Sequence, residues 1–225
     1  MSLDNLYKLY EQSDNIDRAE GRLAYARYRQ TMVAFADHYD FPLKDVTSAF
    51  VALSPNNDYW GNLRSLASVL AGVRDGRPVD EVVVTTFNAC RDRAIGYLTG
   101  ERNFLKTVKG PKIRAFRDNI LRPHSSRHVT VDGHMIAAWH DKRLTMKEAQ
   151  RLLKGRAAYT AIERDIQQLA DNEGFAPCQM QAVLWFTRKR LNRVIYDPQL
   201  SLFQEGDQWG TLVDPRKCPP YVKQK

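Results

Sequence analysis

Along most of this chain apolar residues recur at spacings of three and four, the mark of helices that bury one face. The clearest run lies between Arg18 and Tyr39, where Leu23, Ala26, Tyr28, Met32, Phe35 and Ala36 fall near one side of a single long helix. Pro42 suits the first turn of a second helix, which carries Val46, Phe50 and Val51 until Ser54-Pro55 stops it. Trp60, Leu63, Leu66, Ala67 and Leu70 make another stripe, closed by Gly72. From Val79 to Leu98 two signals compete. Val82-Val83-Val84-Thr85-Thr86 has strand propensity, but Phe87, Ala89, Ala94 and Ile95 continue at helical spacing, so one helix ending at Gly100 is expected. A helix from Pro111 to about Leu121, a loop from Pro123 to Thr130 and a helix through Ile136, Ala137 and Trp139 follow. Thr145-Met146-Lys147-Glu148 fits a capping box, and Gly174 separates two last helices, Gly155 to Asn172 and Pro177 to about Arg193. With no hairpin or repeat, the expected fold is all-α and two-lobed, with a cleft between the lobes. Residues 1–44 read as N-terminal helices on the core, 45–195 as the main helical domain, and the Pro-, Gly- and Gln-richer 196–225 as an irregular arm.

Charge changes this picture by pointing to a partner. Among 225 residues, 34 Lys and Arg oppose 26 Asp and Glu, and the net charge of +8 favours a polyanion such as double- or single-stranded DNA. The excess is clustered. Lys106, Lys109, Lys112, Arg114, Arg117, Arg122 and Arg127 are opposed only by Asp118. Arg188-Lys189-Arg190, with Arg193, forms a second patch, although cations at a helix C-terminus are also favoured by the helix dipole. Three widely spaced cysteines suggest a reducing, cytoplasmic compartment and cannot complete a four-cysteine iron–sulfur cluster. Cys90 and Cys178 read as small buried hydrophobes. No stretch is apolar enough to cross a bilayer, and the first residues lack the blocks of a signal peptide. His124 and His128 have a metal-like spacing without further ligands nearby, so neither metal nor cofactor is expected.

The candidate chemistry centres on Val129-Thr130-Val131-Asp132-Gly133-His134-Met135, in which an extended β-branched run delivers one aspartate to the start of an apolar helix. Upstream, Gly110-Pro111-Lys112 opens a basic helix whose free N–H groups and dipole suit a phosphate. A carboxylate held at a helix start can stabilise a cationic sugar or orient a nucleophile. It can equally be an ordinary N-cap. Lys112 can be a nucleophilic amine, if burial or neighbouring cations depress its pKa, or a phosphate-binding lysine.

These segments resemble the active-site core of the helix-hairpin-helix DNA glycosylases, the endonuclease III and 8-oxoguanine glycosylase superfamily. There a loop reading V-D-x-H followed by an apolar residue carries the essential aspartate, matched here by Asp132 with His134. Thr107-Val108-Lys109-Gly110-Pro111-Lys112-Ile113-Arg114-Ala115 stands where the family has roughly L-P-G-h-G-x-K-T-A; the first hairpin glycine is absent, and Lys112 follows Gly110 by two. The resemblance spans roughly residues 45–195. It implies base flipping and cleavage of an N-glycosidic bond, with strand cleavage added if Lys112 forms a Schiff base. It also implies DNA contacts from Lys106, Lys109, Gly110, Arg114, Arg117, Arg127, Arg188 and Lys189. The base pocket would draw on Asn56, Asn57, Tyr59 and Trp60 in the polar–aromatic turn after Ser54-Pro55, together with His134. Relatives associated with base hypermodification in bacteriophages suggest a different outcome, group transfer onto a flipped base. A non-catalytic nucleic-acid binding module is the third reading.

Overall fold

In a computed structural model the chain is all-helical; residues 2–55, 57–153, 155–192 and 214–221 are described, and among them no strand occurs. In chain order the helices are α1 (Ser2–Glu11), α2 (Asn15–Tyr39), α3 (Leu43–Leu53), α4 (Tyr59–Arg74), α5 (Asn88–Leu98), α6 (Phe104–Thr107), α7 (Pro111–Leu121), α8 (Gly133–Trp139), α9 (Met146–Leu153), α10 (Arg156–Glu173) and α11 (Pro177–Asn192). The chain divides into two compact units. The first is Met1–Arg27 with Asp118–Ser201, and the second is Tyr28–Arg117 with Leu202–Lys225. The division runs through α2 and α7. Arg193 and most of the 196–225 arm lie outside the described residues. Of the arm, 214–221 includes a short 3-10 turn at Pro215–Lys217, and Tyr221 N donates to Ser68 Oγ at 2.6 Å. No helix among the described residues is long and apolar enough to cross a membrane.

In the first unit α1, α8, α10 and α11 pack on one another, and α9 closes on α8 and α10. Leu6, Met135, Ile136, Ile162, Ile166, Leu169, Val183 and Leu184 are buried there at helical spacing. The largest of the buried side chains is Trp185, 1% exposed. Gly21 of α2 is needed because a Cβ there would stand 2.6 Å from the Val183 backbone nitrogen. In the second unit α3 is buried continuously from Val46 to Leu53, as a helix enclosed by α4 and α5 must be. Tyr28, Phe50 and Phe116 meet there with ring centroids 5.8–6.1 Å apart.

Two expectations are corrected. Val79 to Leu98 is not one helix: a 3-10 turn spans Val79–Glu81, 82–87 is irregular with a bend at Thr85 and Thr86, and α5 begins at Asn88. The β-branched run prevails because its hydroxyls find partners outside a helix. Thr85 N donates to Ser65 Oγ at 3.0 Å, Thr85 Oγ1 to Asn57 Oδ1 at 2.7 Å, and Thr86 Oγ1 to the Pro55 carbonyl at 2.5 Å. Gly72 does not close α4, which continues to Arg74. Instead Val82 packs where a Cβ on Gly72 would sit, 2.6 Å from Val82 Cγ2. The Thr145–Glu148 capping box forms as read, with Thr145 N donating to Glu148 Oε2 at 2.8 Å and Glu148 N to Thr145 Oγ1 at 3.3 Å.

Candidate active site

The segment that delivers Asp132 is extended, so its backbone groups need partners that no helix provides. In the first unit α10 provides them from one stripe at four-residue spacing. Tyr159 Oη donates to the Val129 carbonyl at 2.6 Å and accepts from Val131 N at 3.3 Å. Glu163 Oε1 accepts from Val129 N at 3.0 Å, and Gln167 Nε2 donates to the Arg127 carbonyl at 2.6 Å. Asp171 receives the Arg127 guanidinium through two bonds of 2.6 and 2.9 Å. Three side chains thus bond the backbone of Arg127, Val129 and Val131, and a fourth holds the Arg127 side chain.

A second buried network holds the same segment. Asn119 Nδ2 donates to Thr130 Oγ1 at 2.9 Å, and Ser126 Oγ lies 2.6 Å from Asp118 Oδ2 and 2.9 Å from Asn119 Oδ1. The Tyr25 hydroxyl bonds Thr130 and Asn119 and donates to Gln181 Oε1 at 2.7 Å. Burial pushes both phenols, Tyr25 and Tyr159, far above the ordinary tyrosine range, so they stay neutral donors.

Asp132 sits at the end of this scaffold, 1% exposed. Its backbone is extended (φ −107°, ψ −173°), and Oδ1 caps α8 by accepting from Met135 N at 3.0 Å. Oδ2 is buried and has no hydrogen-bond partner among the described residues. Arg188 of α11 carries a positive charge on which Asp132 acts. Burial pulls its guanidinium below the ordinary value, against the opposing pull of Asp141 and Asp132. Arg188 Nη2 also donates to the Lys142 carbonyl at 2.9 Å. His134 meets Trp185 edge to face at 6.2 Å, and Lys189 Nζ stands 4.5 Å above the same indole. Asp132, His134, Arg188 and Lys189 therefore belong to one unit, and His134 and Lys189 both meet a tryptophan, Trp185, that the sequence reading did not single out.

The remaining candidates, Arg127 apart, belong to the second unit. Lys112 is half-buried in the first turn of α7; Lys106, Lys109 and Gly110 are exposed, and a Cβ on Gly110 would meet open space. Arg114 is turned inward on its own loop, donating from Nε to the Val108 carbonyl at 2.7 Å and from Nη2 to the Leu105 carbonyl. Arg117 Nε donates to Ser48 Oγ at 2.7 Å, with the guanidinium 4.9 Å above Phe104. Of the polar–aromatic turn, Asn56 lies outside the described residues. Asp58 caps α4 through Gly61 N at 2.5 Å, and Asn57 is locked to Thr85. Tyr59 meets Tyr28 edge to face at 5.4 Å, while Trp60 is 37% exposed. Among the described residues no group of three His, Cys, Asp or Glu is placed to hold a metal ion.

These features define an all-α protein with a buried, helix-capping aspartate set in a hydrogen-bonded clamp. Residues 2–191 match the model of a family of unknown function, DUF7178, and the chain belongs to that family. No curated protein and no solved structure matches it.

Proposed function

We propose that this protein acts on DNA as a glycosylase-like enzyme, with Asp132 as the carboxylate that faces the cationic sugar. The observation that carries the reading is the state of that carboxylate: one oxygen is spent on a cap, and the other is buried without a partner. A buried acceptor left unmatched costs about 1–3 kcal/mol, and such costs collect where charge is held ready for a ligand. Two networks fix the backbone that presents it, which is what positioning a reacting group demands. Since Asp132 is 1% exposed, a sugar reaches Oδ2 only after the side chains covering it move, as lids do in many enzymes.

The test is release of free base, read by mass spectrometry, from duplex and single-stranded DNA carrying normal and altered bases. Wild type should release one base. Asp132→Asn, which still caps α8, should do so roughly a hundredfold or more slowly at unchanged melting temperature. Borohydride trapping of a covalent adduct, lost in Lys112→Gln, would assign a Schiff base to Lys112 and lyase activity to the enzyme. A mass change in the nucleoside without base release would move the reaction to group transfer. The capping bond itself favours a second reading, a nucleic-acid binding module in which Asp132 serves α8 alone. That reading prevails if DNA binds and no base is released or altered.

A further inference from the structure

The second unit contains a groove of about 480 Å³ that the Asp132 chemistry does not use. It lies against the start of α3, the turn after α5, α6 and Arg117 of α7. We propose that this groove binds a phosphorylated nucleoside, holding the phosphate on Lys44, Arg102 and Arg117. The inference does not rest on a catalytic role for Asp132.

Charge comes first. Three cations line the groove against one carboxylate, Asp45, whose pKa burial raises against the opposing pull of Lys44 and Arg117. The cations are arranged rather than scattered. Arg117 is fixed by bonds from Nε to Ser48 Oγ and from Nη2 to the Lys44 carbonyl, and by the Phe104 ring beside it, which holds its positive charge at the groove. Arg102 is placed by Gly96: its Cγ and Cδ would stand 2.8 Å from a Cβ there, and its backbone N donates to the Gly96 carbonyl at 2.8 Å. Among the described residues the Arg102 guanidinium makes no hydrogen bond or ion pair and the Lys44 ammonium no hydrogen bond; it is the Lys44 carbonyl that accepts from Arg117 Nη2, at 3.4 Å.

Donors are also in surplus. Asn103 spends its Oδ1 on accepting from Lys106 N at 3.1 Å, which leaves the amide N–H groups of this exposed residue available to donate. The end of α5 supplies the opposite chemistry, because the last carbonyls of a helix lack intrahelical donors. Cations and amide donors suit a phosphate, the carbonyls suit N–H or hydroxyl groups of a base and sugar, and Leu105, 61% exposed, gives apolar surface for a ring. The volume falls within the range of roughly 300–1,000 Å³ usual for small-molecule sites.

The same chemistry fits a free nucleotide or one nucleotide within a strand, so the test carries both. Binding to the full chain is measured by titration calorimetry with a deoxynucleoside monophosphate, the same nucleoside without phosphate, and a short single-stranded oligodeoxynucleotide. The monophosphate should bind at least tenfold more tightly than the nucleoside. Lys44→Gln combined with Arg102→Gln should weaken it tenfold or more at unchanged melting temperature. Gly96→Ala should weaken it too, since it displaces the Arg102 stem while leaving every charge in place. Tighter binding of the oligonucleotide assigns the site to a strand, and tighter binding of the monophosphate assigns it to a free nucleotide. Equal affinity for nucleoside and monophosphate, wild-type affinity in the charge variant, or no binding of any probe would overturn the proposal.

Discussion

Tyr159→Phe removes one oxygen atom and tests the clamp on the Asp132 segment directly. That oxygen is used twice, as donor to the Val129 carbonyl at 2.6 Å and as acceptor from Val131 N at 3.3 Å. Val129 and Val131 are both 0% exposed, so water does not replace the hydroxyl at either group. Leaving a buried backbone group unmatched costs about 1–3 kcal/mol. The short bond to Val129 should fall in the upper part of that range and the longer one to Val131 in the lower part. The sum is about 3–5 kcal/mol, and the void left by one hydroxyl adds little. For a chain of this length about 1 kcal/mol moves the melting temperature by roughly 2–4 °C, so a fall of about 6–20 °C is expected. Urea unfolding with an unchanged m-value would locate the effect in the native state. A loss under about 0.5 kcal/mol would refute the reasoning, because the two groups would then have other partners.

The outer end of the same clamp should behave differently. Arg127 and Asp171 are 59% and 52% exposed at their side chains, so Arg127→Ala should cost less than about 1 kcal/mol in urea unfolding despite its two bonds. Gly21→Ala should destabilise by about 1–3 kcal/mol, because a Cβ would press on the Val183 backbone, outweighing the better helix propensity of alanine; an equal or raised urea midpoint would contradict this. Burial pushes the Cys178 thiol up to about 12 and the Cys218 thiol up to about 11. With Cys90 also buried, native protein at pH 8 should resist a thiol-specific disulfide reagent, and all three cysteines should react once urea unfolds the chain.

Most helices were legible because their apolar positions repeat with the helical period, and α7 runs from Pro111 to Leu121 as read. The 79–98 segment was not, because periodicity cannot reveal that Thr85 and Thr86 have hydroxyl and carbonyl partners on residues 20 and 31 positions away. Gly72 was misread for a related reason. A glycine that ends a helix and one that admits a neighbouring valine look alike without coordinates. At the candidate site the sequence pointed to Asp132, its cap and His134, since all lie within one short motif. It did not reveal Trp185, Tyr25 or the groove at Lys44 and Arg102, whose members are joined only by tertiary packing. One signal was available and passed over. Tyr159, Glu163, Gln167 and Asp171 repeat every four residues on a helix whose apolar face lies elsewhere, and a polar stripe of that kind has something to hold.

The first unit is assembled from the two sides of the second, and that has a consequence for synthesis on the ribosome. Leu6, Leu9 and Tyr10 of α1 are covered by elements that include α8, α10 and α11. From Glu11, the last residue of α1, to Arg156, the first of α10, the chain runs 145 residues. At elongation rates of roughly 5–20 residues per second the apolar side of α1 waits on the order of ten seconds for its partners. Tyr28–Arg117 meanwhile emerges as one continuous stretch with its own core. The nascent chain therefore consolidates from its middle outward, and its earliest residues are among the last to be covered.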